Sequence, residues 1–435
     1  MKCATLPYGN EGWNEKVRIV EGIIASRPRP PFFYGDVLIL VPASRLKRMY
    51  GRLVLEALQR LHGATALIQP EIQTLHQFFE KLYARLRGPR IIDENSRLVL
   101  LEGLVKGRLT NDALFNQSPD LLAPSLSSAL ADTIEQLSAA GVSPEDLLAL
   151  VKHAEFSDKP QVRLLVDVYG GYQAMLRKKG LLDPAGMLAS VYEKFDASWL
   201  APYREILIDG IRDAGKLETD ILKKVAACGN CTYLTDATSP ELLKRAKDFH
   251  PLSITKDFIS SLGIVPVQEG AGADADELFL AGALFSDKPF DEVVRQAPAP
   301  SSFSKEINLL SAVNSREEAS LIAGLVKKSM QQGTPADSIL VAFPALDEYG
   351  PLVEELFTDY GIPYNRALGR QLSASPVTTS MVSLLRAAQE GFSGPSLLRI
   401  FSSPFLKFAG QPSLAPALDR LMRTKRVTGG RDKLL

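Results

Sequence analysis

Cysteine is scarce in this 435-residue chain: Cys3, Cys228 and Cys231 are the only three. An odd, sparse count with no leader-like apolar segment at the N-terminus argues against a disulfide framework and points to a reducing compartment, so a cytoplasmic protein is expected. No second cysteine pair accompanies Cys228 and Cys231, and His62, His76, His153 and His250 show no ligand spacing, so no metal site is expected. Charge of one sign is also lacking. Fifty Lys and Arg balance fifty Asp and Glu, so no global field draws the chain to nucleic acid or to an anionic membrane, and any such contact must be local. No run approaches the roughly 18 apolar residues of a membrane span. A soluble protein with no membrane partner follows. No repeat of fixed period is visible.

The chain is not short of apolar residues, at 46%, enough at this length for two or three cores. Short apolar runs at 2–6, 37–41, 205–208, 232–234, 307–310 and 339–343 are bounded by Gly, Pro, Asp or Ser and followed by helical patterns. They read as buried strands of parallel α/β layers. From about residue 74 to 195 strand signals almost vanish, and helical periodicity appears at 96–105, 126–137 and 162–176. Ser143, with Pro144 next and acids in the following turn, is a helix start. Between 270 and 304 the composition shifts to Ala, Asp, Pro and Ser, which marks a linker. Helices are predicted over 316–330 and 346–360, with a turn at 361–363.

The first strand leads into Gly9 and a helix expected to begin near Val17. A phosphate-binding loop, G-x-x-x-x-G-K-[ST], occupies that setting because its amides cradle phosphates, its lysine pairs them and its hydroxyl holds magnesium. Aligned on Gly9, with Gly12 inside the loop, the second glycine falls on Asn14, the lysine on Glu15 and the hydroxyl on Lys16. A carboxylate about 4 Å from a phosphate charge costs on the order of 4 kcal/mol at an effective dielectric near 20, where a lysine attracts. Bound ATP and magnesium are therefore not expected. The strand at 205–208 is followed by Asp209, where metal-dependent NTP hydrolysis places an acid, but Gly210 stands where a water-polarising glutamate belongs.

The same stretch offers a rival. Gly210, Gly215 and Lys216 complete G-x-x-x-x-G-K between a strand and a helix, and only the final hydroxyl is missing, because Leu217 stands there. An active ATPase built on 210–217 is the alternative. Ser44, Arg45, Lys47 and Arg48, just after the strand at 37–41, are candidate DNA-backbone contacts, as are Thr74, a helix cap in the strand-to-helix element at 68–82, and Arg316. Further basic clusters lie at 85–90, 177–179 and 423–426.

The segments VLILVPASRL, GLLDPAGML and ILIDGIRDAGKLETDIL resemble those of the B subunit of ATP-dependent helicase–nucleases (AddB type), related to RecC and to superfamily 1 helicases. The likeness continues through residues 314–364, which begin NSREEASLIAGLV, and through SPVTTSMVSLLRAAQEGF. Its most specific block runs onward from Arg316. The resemblance implies an α/β fold of two RecA-like, P-loop helicase-type parallel-sheet modules with a large helical insertion. It places the first part of module one at 1–85, the insertion at 86–195, the rest of module one with a linker at 196–300, and a second module at 301–435. Together with the altered residues at Gly9 to Lys16 and the glycine after Asp209, it points to an inactivated scaffold that binds DNA in double-strand-break repair and end processing, partnered by an AddA-type helicase–nuclease subunit. The resemblance also implies a C-terminal nuclease domain with an iron–sulfur cluster. No PD…(D/E)xK pair is apparent, and the sequence stops soon after residues 427–430, so a fragment is expected, with any cluster beyond it. A helical protein-interaction module without DNA binding is the third reading.

Overall fold

In the computed structural model the described residues are 2–6, 9–26, 32–65, 67–111, 119–152, 159–228, 231–237, 240–246, 250–268, 279, 282–283, 288–295, 308–365, 372, 375–389, 391–406 and 414–425. The chain divides into two compact units, Met1–Glu306 and Ile307–Leu435.

The first unit is built on a six-stranded sheet. Its strands are β1 (Lys2–Leu6), β2 (Val37–Val41), β3 (Glu71–Thr74), β6 (Glu205–Asp209), β7 (Cys231–Asp236) and β8 (Pro266–Gln268), in the spatial order β3-β2-β6-β7-β1-β8. All neighbours run parallel. The run VLILV shows why this stretch must be central: every residue is buried, with Leu38 and Leu40 in one core and Val37, Ile39 and Val41 in the other. A period of two with both faces apolar needs helices on both sides. α1 (Gly9–Ala25) and α2 (Ser44–His62) cover one face, and α3 (Leu75–Leu86), α8 (Pro184–Glu193), α9 (Lys216–Ala227) and α11 (Leu252–Leu262) the other. A short α10 (Pro240–Arg245) joins that layer.

Between β3 and β6 lies the expected insertion. α4 (Glu94–Asn111), α5 (Pro119–Ala139), α6 (Pro144–Lys152) and α7 (Pro160–Lys179) enclose a core of their own around Leu101, Val105, Ile134 and Tyr172. The two-residue strands β4 (Arg90–Ile91) and β5 (Leu181–Leu182) pair in parallel at its base. Ser143 opens α6 as its sequence context predicts: its hydroxyl accepts the Asp146 N–H at 3.0 Å, and the Asp146 carboxylate accepts the Ser143 N–H at 3.1 Å. Gly180, at φ 63, closes α7. Most of the 270–304 linker lies outside the described residues, which there include α12 (Phe290–Arg295).

In the second unit α13 (Ser315–Gln331) and α14 (Leu346–Asp359) pack through Ala319, Ala323, Val326, Leu356 and Phe357, and Gly361 takes the turn at φ 61. α15 (Pro376–Gln389), α16 (Gly394–Phe401) and α17 (Ala415–Lys425) follow. The runs at 307–310 and 339–343 are expected to be strands. Residue 307 lies outside the described residues, and the remainder forms no ladder among them. Ile339 and Val341 pack on the helix pair while Leu340 is 90% exposed, so the alternation is real. A strand also needs a hydrogen-bonded neighbour, and apolar patterning alone does not supply one. No helix among the described residues is long and apolar enough to cross a membrane.

Candidate functional site

Ligands of open parallel sheets bind outside the carboxyl ends of the strands. Here that edge carries Thr74 after β3, Asp209 closing β6 and Asp236 closing β7. The register sets Asp209 opposite Leu234, so Asp236 stands two residues further along the neighbouring strand.

α1 corrects the expectation for the first turn. It begins at Gly9, eight residues before the expected start near Val17. Gly9, Gly12, Asn14, Glu15 and Lys16 are therefore helical and form no eight-residue loop. The reason is visible in the spacing. Gly12, Lys16, Val20 and Ile24 recur every four residues on one face; Gly12, Val20 and Ile24 are buried, and Lys16 is carried with them towards the sheet. Asn14 is exposed, and the Glu15 carboxylate pairs with Arg18 at 2.9 Å.

Lys16 reaches the acids of the sheet edge. Its Nζ lies 3.0 Å from Asp209 Oδ1, an ionic contact without hydrogen-bond alignment, and 3.2 and 3.3 Å from the two Asp236 oxygens. Asp209 Oδ2 accepts the Tyr50 hydroxyl at 2.7 Å. Burial alone pulls the Lys16 ammonium towards neutrality, but the two aspartates outweigh it and hold its pKa above the ordinary value. Burial, and then the Asp209 charge, push the Tyr50 phenol up. Sequence reasoning misses Tyr50 and Asp236. For Asp236 a signal exists, because CTYLTD is a second strand that ends in an acid.

The rival loop lies where the sequence puts it, between β6 and α9, with Gly210 at φ 66 and Lys216 opening the helix. The amide of its second glycine is already taken: the Gly215 N–H donates to Glu218 Oε2 at 2.9 Å. This is half a capping box, since glycine has no side chain to complete it. The loop is pinned elsewhere by the Tyr233 hydroxyl, which donates to the Ile211 carbonyl. Lys216 is exposed.

Beside the acids a cleft of about 630 Å³ opens between the ends of β2, β3 and β6, lined by Ser44, Thr74, His76, Gly210, Arg212 and Asp213 among others. Two helices start at it. The Thr74 hydroxyl accepts the Gln77 N–H at 3.4 Å, and Gln77 Oε1 accepts both the Thr74 N–H at 3.3 Å and Lys47 Nζ at 2.8 Å. α2 has no side-chain cap and no acid in its first turn, and it carries Ser44, Arg45 and Arg48 exposed. A bare helix start with cations in its first turn favours an anion. Arg316 belongs to the second unit, where it forms an exposed bidentate pair with Glu355 at 2.5 and 3.3 Å.

The cysteines do not suit an iron–sulfur cluster, which needs clustered thiolates. Cys3 and Cys231 are buried, and burial pushes both thiols to about 12; Cys228 is exposed. Gly229, Asn230, His153, Arg426 and residues 427–430 lie outside the described residues.

The family described as UvrD/REP helicase N-terminal domain matches residues 53–237. That span holds β3, the helical insertion and β6 and β7 with Asp209 and Asp236. The chain is similar to proteins named as the B subunit of an ATP-dependent helicase/deoxyribonuclease. The relative from Staphylococcus carnosus is 24% identical over 319 residues, 70% of this chain and 27% of that protein. The relative from Symbiobacterium thermophilum is 24% identical over 321 residues, 69% and 27%. In Streptococcus suis the match is 26% over 110 residues, 25% of this chain and 10% of that protein. The chain spans about a quarter of the length of the first two of these relatives.

Proposed function

From the kinship of this chain with the B subunits of ATP-dependent helicase/deoxyribonucleases, we infer that it is a helicase-like scaffold that holds DNA and neither binds nor hydrolyses ATP. Its setting is DNA repair and recombination, at broken ends, within an exonuclease complex whose motor is an AddA-type partner subunit. The observation that carries the inactive part is the Lys16 ammonium between Asp209 and Asp236. In a nucleotide-hydrolysing site of this fold an acid after that strand anchors magnesium, and a second group polarises water. Here the acid is neutralised by a lysine of the chain itself, and Gly210 follows it. The donor set does not fit a magnesium–nucleotide pair.

The DNA part rests on the adjoining cleft. The uncapped start of α2 brings Ser44 to the opening and carries Arg45 and Arg48 exposed on its first turns, while the Thr74 start of α3 and Arg212 line the same opening. Such groups grip a phosphate backbone without reading sequence. Fluorescence anisotropy with single- and double-stranded oligonucleotides across a salt series tests this. Salt-sensitive binding that weakens in Arg45→Ala/Arg48→Ala is expected; absence of such binding favours the protein-interaction reading instead.

The second reading, an active ATPase on 210–217, is favoured by the Gly210 turn and the helix start at Lys216. It is opposed by the Glu218 carboxylate on the Gly215 amide, since a phosphate would have to displace an anion from that N–H. ATP hydrolysis by the purified chain, abolished by Lys216→Ala, would replace the scaffold proposal with this one.

A further inference from the structure

We propose that Lys16 is the resident cation of the sheet edge: its ammonium takes the place of a divalent metal on Asp209 and Asp236 and keeps that carboxylate pair closed to metal. This rests on the inactive reading above.

Asp209 is 3% exposed, and its two oxygens have separate duties, Oδ2 accepting from Tyr50 and Oδ1 facing Lys16. Asp236 turns both oxygens to the same ammonium. A buried carboxylate without a countercharge is strongly unfavourable, so something positive must stand here. The Nζ lies 3.0 to 3.3 Å from three oxygens on two adjacent strands. A divalent ion bound to the same oxygens at roughly 2.0 to 2.6 Å would occupy the same volume, so ammonium and metal exclude each other. The tethered cation has the advantage in this competition. It is delivered by the α1 stripe of Gly12, Val20 and Ile24, which packs whether or not any ion is in solution. The two aspartates against one ammonium also leave the edge formally anionic, which works against a polyphosphate arriving without its own metal.

Taking away the ammonium while keeping the helix should leave two carboxylate groups and a phenol facing a lysine-sized gap, a set of hard oxygen donors suited to Mn2+ or Mg2+. Manganese alone, with no nucleotide, is the probe, titrated by calorimetry and by loss of its solution EPR signal into wild type, Lys16→Met and Lys16→Gln of the whole chain. The expected result is one Mn2+ per chain in the Lys16 variants, at least about tenfold tighter than in wild type, lost again in Lys16→Met/Asp209→Asn, with a Mn2+-dependent rise in Tm. If Lys16→Met and Lys16→Gln fold poorly, millimolar Mn2+ should restore their far-UV circular dichroism, because a ligand of the native state stabilises it. Folded variants that bind no more Mn2+ than wild type, unfolded variants that Mn2+ does not restore, or wild type that already binds Mn2+ through Asp209 each overturn the proposal. An ATPase dependent on Lys216 in the wild type would sink the inactive reading alone and leave this titration readable.

Discussion

The Tyr50 hydroxyl donates to Asp209 Oδ2 at 2.7 Å, joining residues 159 positions apart in the chain. It ties α2 to the end of β6, and so holds the cleft-facing helix to the acid of the sheet edge. Tyr50→Phe keeps the ring in its core and leaves a buried carboxylate oxygen without its donor. A loss of about 1 to 3 kcal/mol in urea unfolding is expected. An unchanged midpoint at unchanged m-value would show that this bond contributes nothing.

The Lys16 pair carries a pH signature. Its pKa is raised in the folded chain above the ordinary value of 10.5, because Asp209 and Asp236 outweigh the effect of burial. Stability from a raised lysine is fully present below the unfolded pKa and is lost as pH rises through the folded one. Lys16→Met removes it, at a cost of about 3 to 5 kcal/mol near neutrality. The Tm gap between wild type and Lys16→Met, followed from about pH 8 to pH 12, should therefore narrow at the alkaline end. A gap that widens there contradicts the assignment.

Glu218 is expected to act as a helix cap and nothing more. Glu218→Ala frees the Gly215 N–H and should lower stability by about 1 kcal/mol, read as a drop in the urea midpoint. Lys216→Ala, at an exposed helix start, should leave both stability and nucleotide retention on a filter unchanged. Retention of ATP by wild type but not by Lys216→Ala would reverse this.

Arg45 and Arg48 should behave unlike Arg316. Replacing the first two with alanine is expected to reduce the slope of log affinity for DNA against log salt by about 0.7 to 0.9 for each phosphate no longer neutralised. Arg316→Ala breaks only an exposed pair with Glu355, worth about 0 to 1 kcal/mol. Its effect on unfolding should be small, and equal slopes for all three variants would remove Arg45 and Arg48 from the interface.

What the sequence determined by itself was set by local rules. VLILV and EILID had to be central strands because both of their faces are apolar. The helical insertion followed from periodicity, and Thr74 and Ser143 are helix starts because a hydroxyl three residues before an amide satisfies it locally. Parallel layering follows from the strand–helix alternation, and Asp209, directly after the apolar run at 205–208, is the acid that local context singles out. Tertiary structure decided the rest. Whether Gly9 begins a loop or a helix depends on whether the stripe at 12, 16, 20 and 24 finds a sheet to cover. In a loop motif Lys16 occupies the place of a missing hydroxyl; in the helix it is the counter-ion of two acids more than 190 residues away. No spacing rule reaches that far, because the contact is made by strand order, in which β7 lies between β1 and β6. The same limit held at 339–343, where the alternation was legible but a strand exists only through the neighbour it bonds to.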